Sequence, residues 1–482
     1  MFKSLSSHHK FNGKFLRLAA LFLRENGYYL VAMKLTLFYL AVFSILLMNL
    51  ETQAQKPKEL ADFWEKQHIS RIFPSNVRHK DLKNYLAELK KLSLKVEEVG
   101  RSYGNREIYQ AEWGKGATRI FMWSQMHGDE PTATSALIDM LVFLQKNRDK
   151  AWVKKLEENL TIRAVPMLNP DGAELYQRRN LQSIDINRDA QDLKTPEAQL
   201  LKRLRDEWQP HIGFNLHNQN SLTTVSGSTN QAAISFLVVE GNPEYGENEG
   251  NERNKRLCAS MIIALQNFIG GNMGRYIDAY NPNAFGDKFS DWGTPTILIE
   301  TGSLYGKDEM FLVKMNFIAF LTALNSLVDG SEKILSPINY EFLPNNSSGN
   351  VFSFIFRRAN VLNPAESTNG TIADPAIIIQ PFVADVAVNA QRRRAGEYTP
   401  AYVQTIGNLP LYRGLEEYDV SAFYLVPRFG GTIRSGASGE FLFYRRNRQI
   451  DWKALNLEKD FPPDAVFSGG KWTKGADIIR KK

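Results

Sequence analysis

The stretch QMHGDEPT, Gln125 to Thr132, puts His127, Asp129 and Glu130 between an apolar run, RIFMW, and a helix-like apolar pattern, ATSALIDMLVFLQ. Taking charged groups out of water is costly unless they are paired or bind a metal. A His and a carboxylate three residues apart at a strand-to-helix turn can point at one centre, as residues i and i+3 do on a helical turn. Catalytic zinc takes three protein ligands, with His and Glu among them. One cysteine, Cys258, excludes an internal disulfide and a Cys-built metal site, so the third ligand must be another His or carboxylate. His217 is the best candidate: it ends the run HIGFNLH and precedes the loop NQNS. His211 lies at the opposite end of the same run, about 20 Å away if the segment is extended. His68 and His79 precede the region that carries the motifs, and they read as surface or core histidines.

Two further segments add polar groups. NPDGAELYQRRNLQSIDINRDA, Asn169 to Ala190, holds Arg178, Arg179 and Arg188 in a loop-rich stretch between two strand-like runs. Loops framed by rigid elements often carry function. Asn187 with Arg188 suits a carboxylate, because guanidinium makes a forked contact. Asp185 could accept the proton on the far nitrogen of a metal-bound His. TPTILIETGS ends an apolar run on Glu300, and a metal-activated water needs a base of this kind.

These side chains must be positioned by the elements around them. RIFMWSQ, NLTIRAVPMLN, HIGFNLH and TPTILIETG have strand length and apolar content. ATSALIDMLVFLQKN, TPEAQLLKRLRDEW and NERNKRLCASMIIALQNFI alternate with them and read as helices, as DLKNYLAELKKLS does earlier. The alternation predicts an α/β domain over residues 60–335, with a mixed central sheet flanked by helices and the site beyond the strand carboxyl ends. From residue 338 the texture changes. VFSFIFRR, AIIIQPFVADVAV, SAFYLVPRF and GEFLFYRRN, broken by Gly, Pro and Asn, predict an all-β accessory domain over 338–482.

The chain has 482 residues and a net charge of +7. Of this, +4 lies in residues 1–54, which carry six basic and two acidic side chains. The mildly basic remainder gives no case for nucleic acid, and the runs RRR (392–394) and RKK (480–482) read as solvated surface. Residues 33–54, MKLTLFYLAVFSILLMNLETQA, have the basic start, short apolar middle and small-residue end of a secretory signal peptide, with the cut expected after Ala54. Met33 is then the expected start, and residues 1–32 an upstream extension outside the true reading frame start. The expectation is an exported protein, periplasmic or extracellular, with no stable membrane anchor after signal removal.

The ordered set HGDE, NPDG, DINRD, LH and IET, over about residues 60–329, resembles the zinc carboxypeptidases of the carboxypeptidase A type. The resemblance implies one zinc ion held by His127, Glu130 and His217. It implies Glu300 as the general base that also shuttles the proton to the leaving amine. Arg178 would stabilise the oxyanion, with Arg179 as the alternate. Asn187 and Arg188 would hold the substrate's terminal carboxylate, and Asp185 would support the first His. Tyr280 would be the flexible tyrosine of the family, with Tyr276 competing. Asp287 would favour a basic C-terminal residue. The implied substrate is a peptide with a free C-terminal carboxylate. Two other readings remain at this stage: a zinc amidohydrolase acting on N-acyl amino acids or cell-wall peptides, and a non-catalytic peptide- or glycan-binding protein.

Overall fold

Short apolar runs that are buried on both sides become the inner strands of the first sheet. β5 (Ile212–Asn218) and β9 (Thr296–Thr301) are buried along nearly their whole length, as expected of parallel strands covered by helices on both faces. The computed structural model describes residues 56–246, 248–363, 380–394, 397–452, 454 and 456–482. The expected signal peptide and upstream extension lie outside the described residues. So do the first four residues of AIIIQPFVADVAV. From Phe63 to Lys482 the chain forms one compact unit.

The first sheet has eight strands. They are β1 (Lys95–Arg101), β2 (Glu107–Gly114), β3 (Thr118–Ser124), β4 (Leu160–Val165), β5, β7 (Ile234–Val239), β8 (Met273–Arg275) and β9. Their order is β1-β2-β4-β3-β5-β9-β7-β8. β4, β3, β5 and β9 run parallel, while β2 and β7 join this core antiparallel. Parallel neighbours need crossover connections. Helices Thr132–Lys146 and Ala151–Asn159 link β3 to β4, and Pro196–Trp208 leads into β5. Thr195 caps that last helix by accepting from Ala198 N, with Pro196 at its start. The carboxyl ends of β3, β5 and β9 therefore lie side by side.

Helix Glu309–Asp329 has the length and apolar composition of a membrane span, yet it is mostly buried and packs against Thr132–Lys146 and Glu249–Ile269. It is a core helix of this domain. On the sheet's other side, Trp123 and Phe289 pack at 4.4 Å between ring centroids with their planes tilted by 36°, beside Phe121 and Phe285.

Residues 338–347 stay with this first domain. Tyr340 Oη accepts from Val238 N, and β10 (Asn346–Ser347) pairs with β6 (Thr224–Val225). The sheet-rich C-terminal part follows: β11 (Val351–Val361), β12 (Phe382–Asn389), β13 (Arg392–Arg394), β14 (Glu397–Tyr398), β15 (Tyr402–Gly407), β16 (Arg413–Asp419), β17 (Phe423–Pro427), β18 (Phe441–Arg445), β19 (Ala465–Ser468), β20 (Lys471–Lys474) and β21 (Arg480–Lys481). Nine of these form one sheet along β15-β12-β11-β17-β18-β19-β20, with β16 paired to β11 off this path and β21 paired to β16. Phe354, Phe356, Phe441, Phe443 and Phe467 fill its core, with Trp472 packed against them.

Candidate active site

The turn after β3 carries the first donors. Ser124 Oγ and Thr134 Oγ1 both donate to the Pro166 carbonyl, which ties the start of this turn and the helix after it to the end of β4. Glu130 N donates to the His127 carbonyl, so the two residues share one turn. The helix itself begins only at Thr132. The turn also needs Gly128. A Cβ there would lie 1.9 Å from the backbone carbon of Gly172, so only hydrogen allows this approach to helix Pro170–Leu175.

His217 closes the group from β5. Its Nδ1 is 2.7 Å from Glu130 Oε2, and His127 Nδ1 is 2.8 Å from Glu130 Oε1. The two Nδ1 atoms are 3.2 Å apart. Donor atoms of His127, Glu130 and His217, all buried, lie within 4.8 Å of one another. Two imidazoles and a carboxylate in this arrangement match the donor types of a three-ligand zinc site. His127 Nε2 faces Asp185 Oδ1 at 3.1 Å, the outer contact that orients a metal-bound His. Asn218, next to His217, donates its backbone N–H to Glu130 Oε2 and its side-chain amide to Thr132 Oγ1. That link between strand end and helix start had no sequence signal beyond its place beside His217.

Burial alone would raise the Glu130 pKa, but His127 and His217 outweigh it and hold the carboxyl far below its ordinary range. Burial lowers the His127 pKa, yet Glu130 and Asp185 reverse that and raise it to about 9 in the metal-free protein. A divalent cation competes with that proton for Nδ1. Asp129 is pushed up by burial and then by Glu130, and its buried Oδ1 has no partner among the described residues.

Glu300 sits beside this group. β5 and β9 pair in parallel with His217 opposite Glu300, so both side chains leave the sheet on one face. Glu300 is 7% exposed, and its Oε2 has no partner among the described residues. Burial first, then Glu130, raises its pKa well above the usual carboxylate range.

Arg178 donates Nε to Asp185 Oδ2 at 2.9 Å and Nη1 to Glu130 Oε1 at 3.3 Å, so its cation faces the donor cluster. Arg179 turns away, donating to the Ser183 carbonyl. The Arg178 loop is pinned by Asn180, which is fully buried and donates to Glu197 Oε2. Asn187 is buried, and its Oδ1 accepts from Phe285 N. Arg188 is exposed and donates to the Asn187 carbonyl.

Two clefts flank the centre. One, of about 820 Å3, is lined by Glu130 and Arg178. The other, of about 560 Å3, is lined by Asn187, Asn215, Tyr276, Asp278, Tyr280 and Asp287, among others. Tyr280 donates its hydroxyl to Asp291. Tyr276 is the tyrosine in the field of the centre: burial first, then Glu300, Asp278 and Glu130, push its pKa up to about 12. Burial, then Asp278 and Asp291, raise Asp287 to about 6. Asn215, two residues before His217 on β5, is buried with both amide atoms unpartnered among the described residues.

His68, His79 and His211 are structural. His68 stacks on Trp64 at 3.9 Å, His79 Nε2 meets the Glu107 carbonyl, and His211 Nδ1 accepts from Arg119 N.

A mixed α/β sheet thus brings a His–Glu–His group that could hold a metal ion to its strand ends. Residues 81–236 match the zinc carboxypeptidase family model. Proteins of that family use zinc, and His127, Glu130 and His217 are placed so that they could hold such an ion. Among curated relatives, carboxypeptidase 2 of Trichophyton rubrum is 31% identical over 99 residues, 20% of this chain and 18% of that protein. Carboxypeptidase SOL1 of Arabidopsis thaliana is 34% identical over 68 residues, 14% of each chain. The chain thus spans less than a fifth of the length of these relatives. Among solved structures, the metallo-carboxypeptidase of Burkholderia cenocepacia aligns with a TM-score of 0.43 and 16% identity, covering 53% of this chain and 69% of that one. The metallo-carboxypeptidase of Pseudomonas aeruginosa, solved with (2-guanidinoethylmercapto)succinic acid, aligns with a TM-score of 0.42 and 18% identity, covering 52% and 68%.

Proposed function

We propose that the protein is an exported zinc carboxypeptidase that hydrolyses the C-terminal peptide bond of peptides. One observation carries the reading: Glu300 lies opposite His217 on the neighbouring strand, buried and without a partner for Oε2 among the described residues, beside a complete set of three metal donors. Zinc held by His127, Glu130 and His217 supplies a Lewis acid that polarises the scissile carbonyl and lowers the pKa of water toward about 7.

The chain's own residues do the rest. Glu300 takes the proton from the attacking water and delivers it to the leaving amine. Burial raises the pKa of this carboxyl above the ordinary carboxylate range, which makes its ionised form a stronger base. Arg178 brings a fixed positive charge toward the developing oxyanion, and such a donor contributes roughly 3 kcal/mol. Asp185 holds both His127 and Arg178 in place. Asn187 and Arg188 receive the terminal carboxylate. The terminal side chain enters the 560 Å3 cleft, where Asp278 and Asp287 favour a group bearing an amine or guanidinium. Tyr276 or Tyr280 closes over the end of the substrate.

The test is mass spectrometry of a peptide library incubated with and without a chelator. The expected result is loss of C-terminal residues, basic ones first, abolished by the chelator. Hydrolysis confined to N-acyl amino acids would replace this reading with the amidohydrolase one.

A further inference from the structure

The cleft on the Glu130 and Arg178 side is not closed by the first domain alone. Its opposite wall comes from the C-terminal sheet: Asn389, Gln391, Thr399, Tyr402 and Gln404. Tyr402 and Gln404 lie two apart on β15, so they share one face, while Val403 between them is fully buried on the other. The wall is fixed at several points. β13 lies against the turn Pro74–Asn76, whose Ser75 bonds Glu309. The Arg413 guanidinium stacks 4.2 Å over the Tyr305 ring, in the loop after β9. Asn346, just before β11, donates to Gln219 Oε1, two residues beyond His217. The C-terminal sheet is therefore held in register with the donor centre.

Direction follows from the two clefts. Asn187 lines the smaller one, and with it goes the substrate's chain end. The chain on the N-terminal side of the cut bond must then leave through the larger cleft. Its volume of about 820 Å3 is on the scale of sites that enclose a ligand of a few residues. Its far wall offers amide and hydroxyl side chains, which suit the N–H and C=O groups of an extended backbone more than any one side chain.

We propose that the C-terminal sheet forms the far wall of the substrate cleft and grips an extended peptide upstream of the cut bond, so that the enzyme favours peptides of several residues over dipeptides. This rests on the carboxypeptidase reading above. Binding energy from such remote contacts raises turnover as well as affinity. The experiment compares kcat/KM for an N-blocked dipeptide and for a hexapeptide with the same last two residues, in wild type, Tyr402→Ala and Gln404→Ala. In wild type the hexapeptide should be favoured by roughly tenfold or more. In each variant the hexapeptide-to-dipeptide ratio should fall by about fivefold. The ratio is internal to each variant, so a loss of folded protein does not mimic it. A wild type indifferent to length, or a ratio unmoved by both substitutions, overturns this proposal alone. Absence of chelator-sensitive cleavage of either peptide overturns the functional reading beneath it.

Discussion

Replacing Gly128 by Ala tests whether the metal centre depends on one close backbone approach. A Cβ at residue 128 would meet Gly172 C at 1.9 Å, Ala173 N at 2.3 Å and Gly172 O at 2.4 Å. These are backbone atoms of a helix whose N-cap, Asn169, is fully buried, so no side chain can swing aside. Ordinary contact for a Cβ begins at 3.4 Å, so the two segments must separate by about 1.5 Å, the difference between 3.4 and 1.9 Å. Zinc sites tolerate ligand displacements of only about 0.2 Å. The same movement pushes the Arg178 loop outward. Overpacking of this kind costs about 1–3 kcal/mol of stability. A misplacement of about 1 Å costs about a hundredfold in catalysis. Turnover should therefore fall by about a hundredfold, zinc affinity should fall with it, read by competition with a chromophoric chelator, and the metal-free melting temperature should drop by several degrees. A Gly128→Ala protein with wild-type zinc affinity and melting temperature would refute the claim that this contact sets the ligand turn.

Three further outcomes follow from the same geometry. Glu300→Gln should lower kcat by about 10^2 to 10^4 while zinc content stays at the wild-type level, because the donors are untouched; undiminished turnover would remove Glu300 as base. Asp185→Asn should weaken zinc binding by about 10- to 100-fold through the loss of an anionic acceptor at His127 Nε2, measured by equilibrium dialysis. Asp287 has its folded pKa raised from 3.8 to about 6, so the stability it contributes is full below about pH 4 and is lost as pH rises through 6. Asp287→Asn should then match wild type in melting temperature at pH 4 and exceed it at pH 7. The gain is about 1 kcal/mol, since the group is partly exposed and solvent screens it. A difference equal at both pH values would contradict this assignment.

Much of the centre was legible because strand ends announce themselves. HIGFNLH and TPTILIETG are continuous apolar runs that stop on a charged or titratable residue, and they became β5 and β9 with His217 opposite Glu300. The HGDE turn was legible for the same reason. What sequence could not supply was the partner of each loop. Periodicity identifies a buried face but not which segment covers it, so the bonds from Asn180 to Glu197 and from Asn346 to Gln219 had no signal. The choice between Tyr276 and Tyr280 also depended on which hydroxyl another side chain engages, and Asp291 engages Tyr280. The change of texture at residue 338 marked a real shift in composition. The chain nevertheless stays on the first domain through β10, because Asn346 and Ser347 pair with β6 before β11 begins.

The most direct test of the central claim is anomalous X-ray scattering at the zinc edge from crystals of the zinc-loaded protein. The account predicts one peak per chain about 2.0–2.2 Å from His127 Nδ1, His217 Nδ1 and a Glu130 carboxylate oxygen. A zinc peak that lacks any one of these three side chains as a ligand would contradict it.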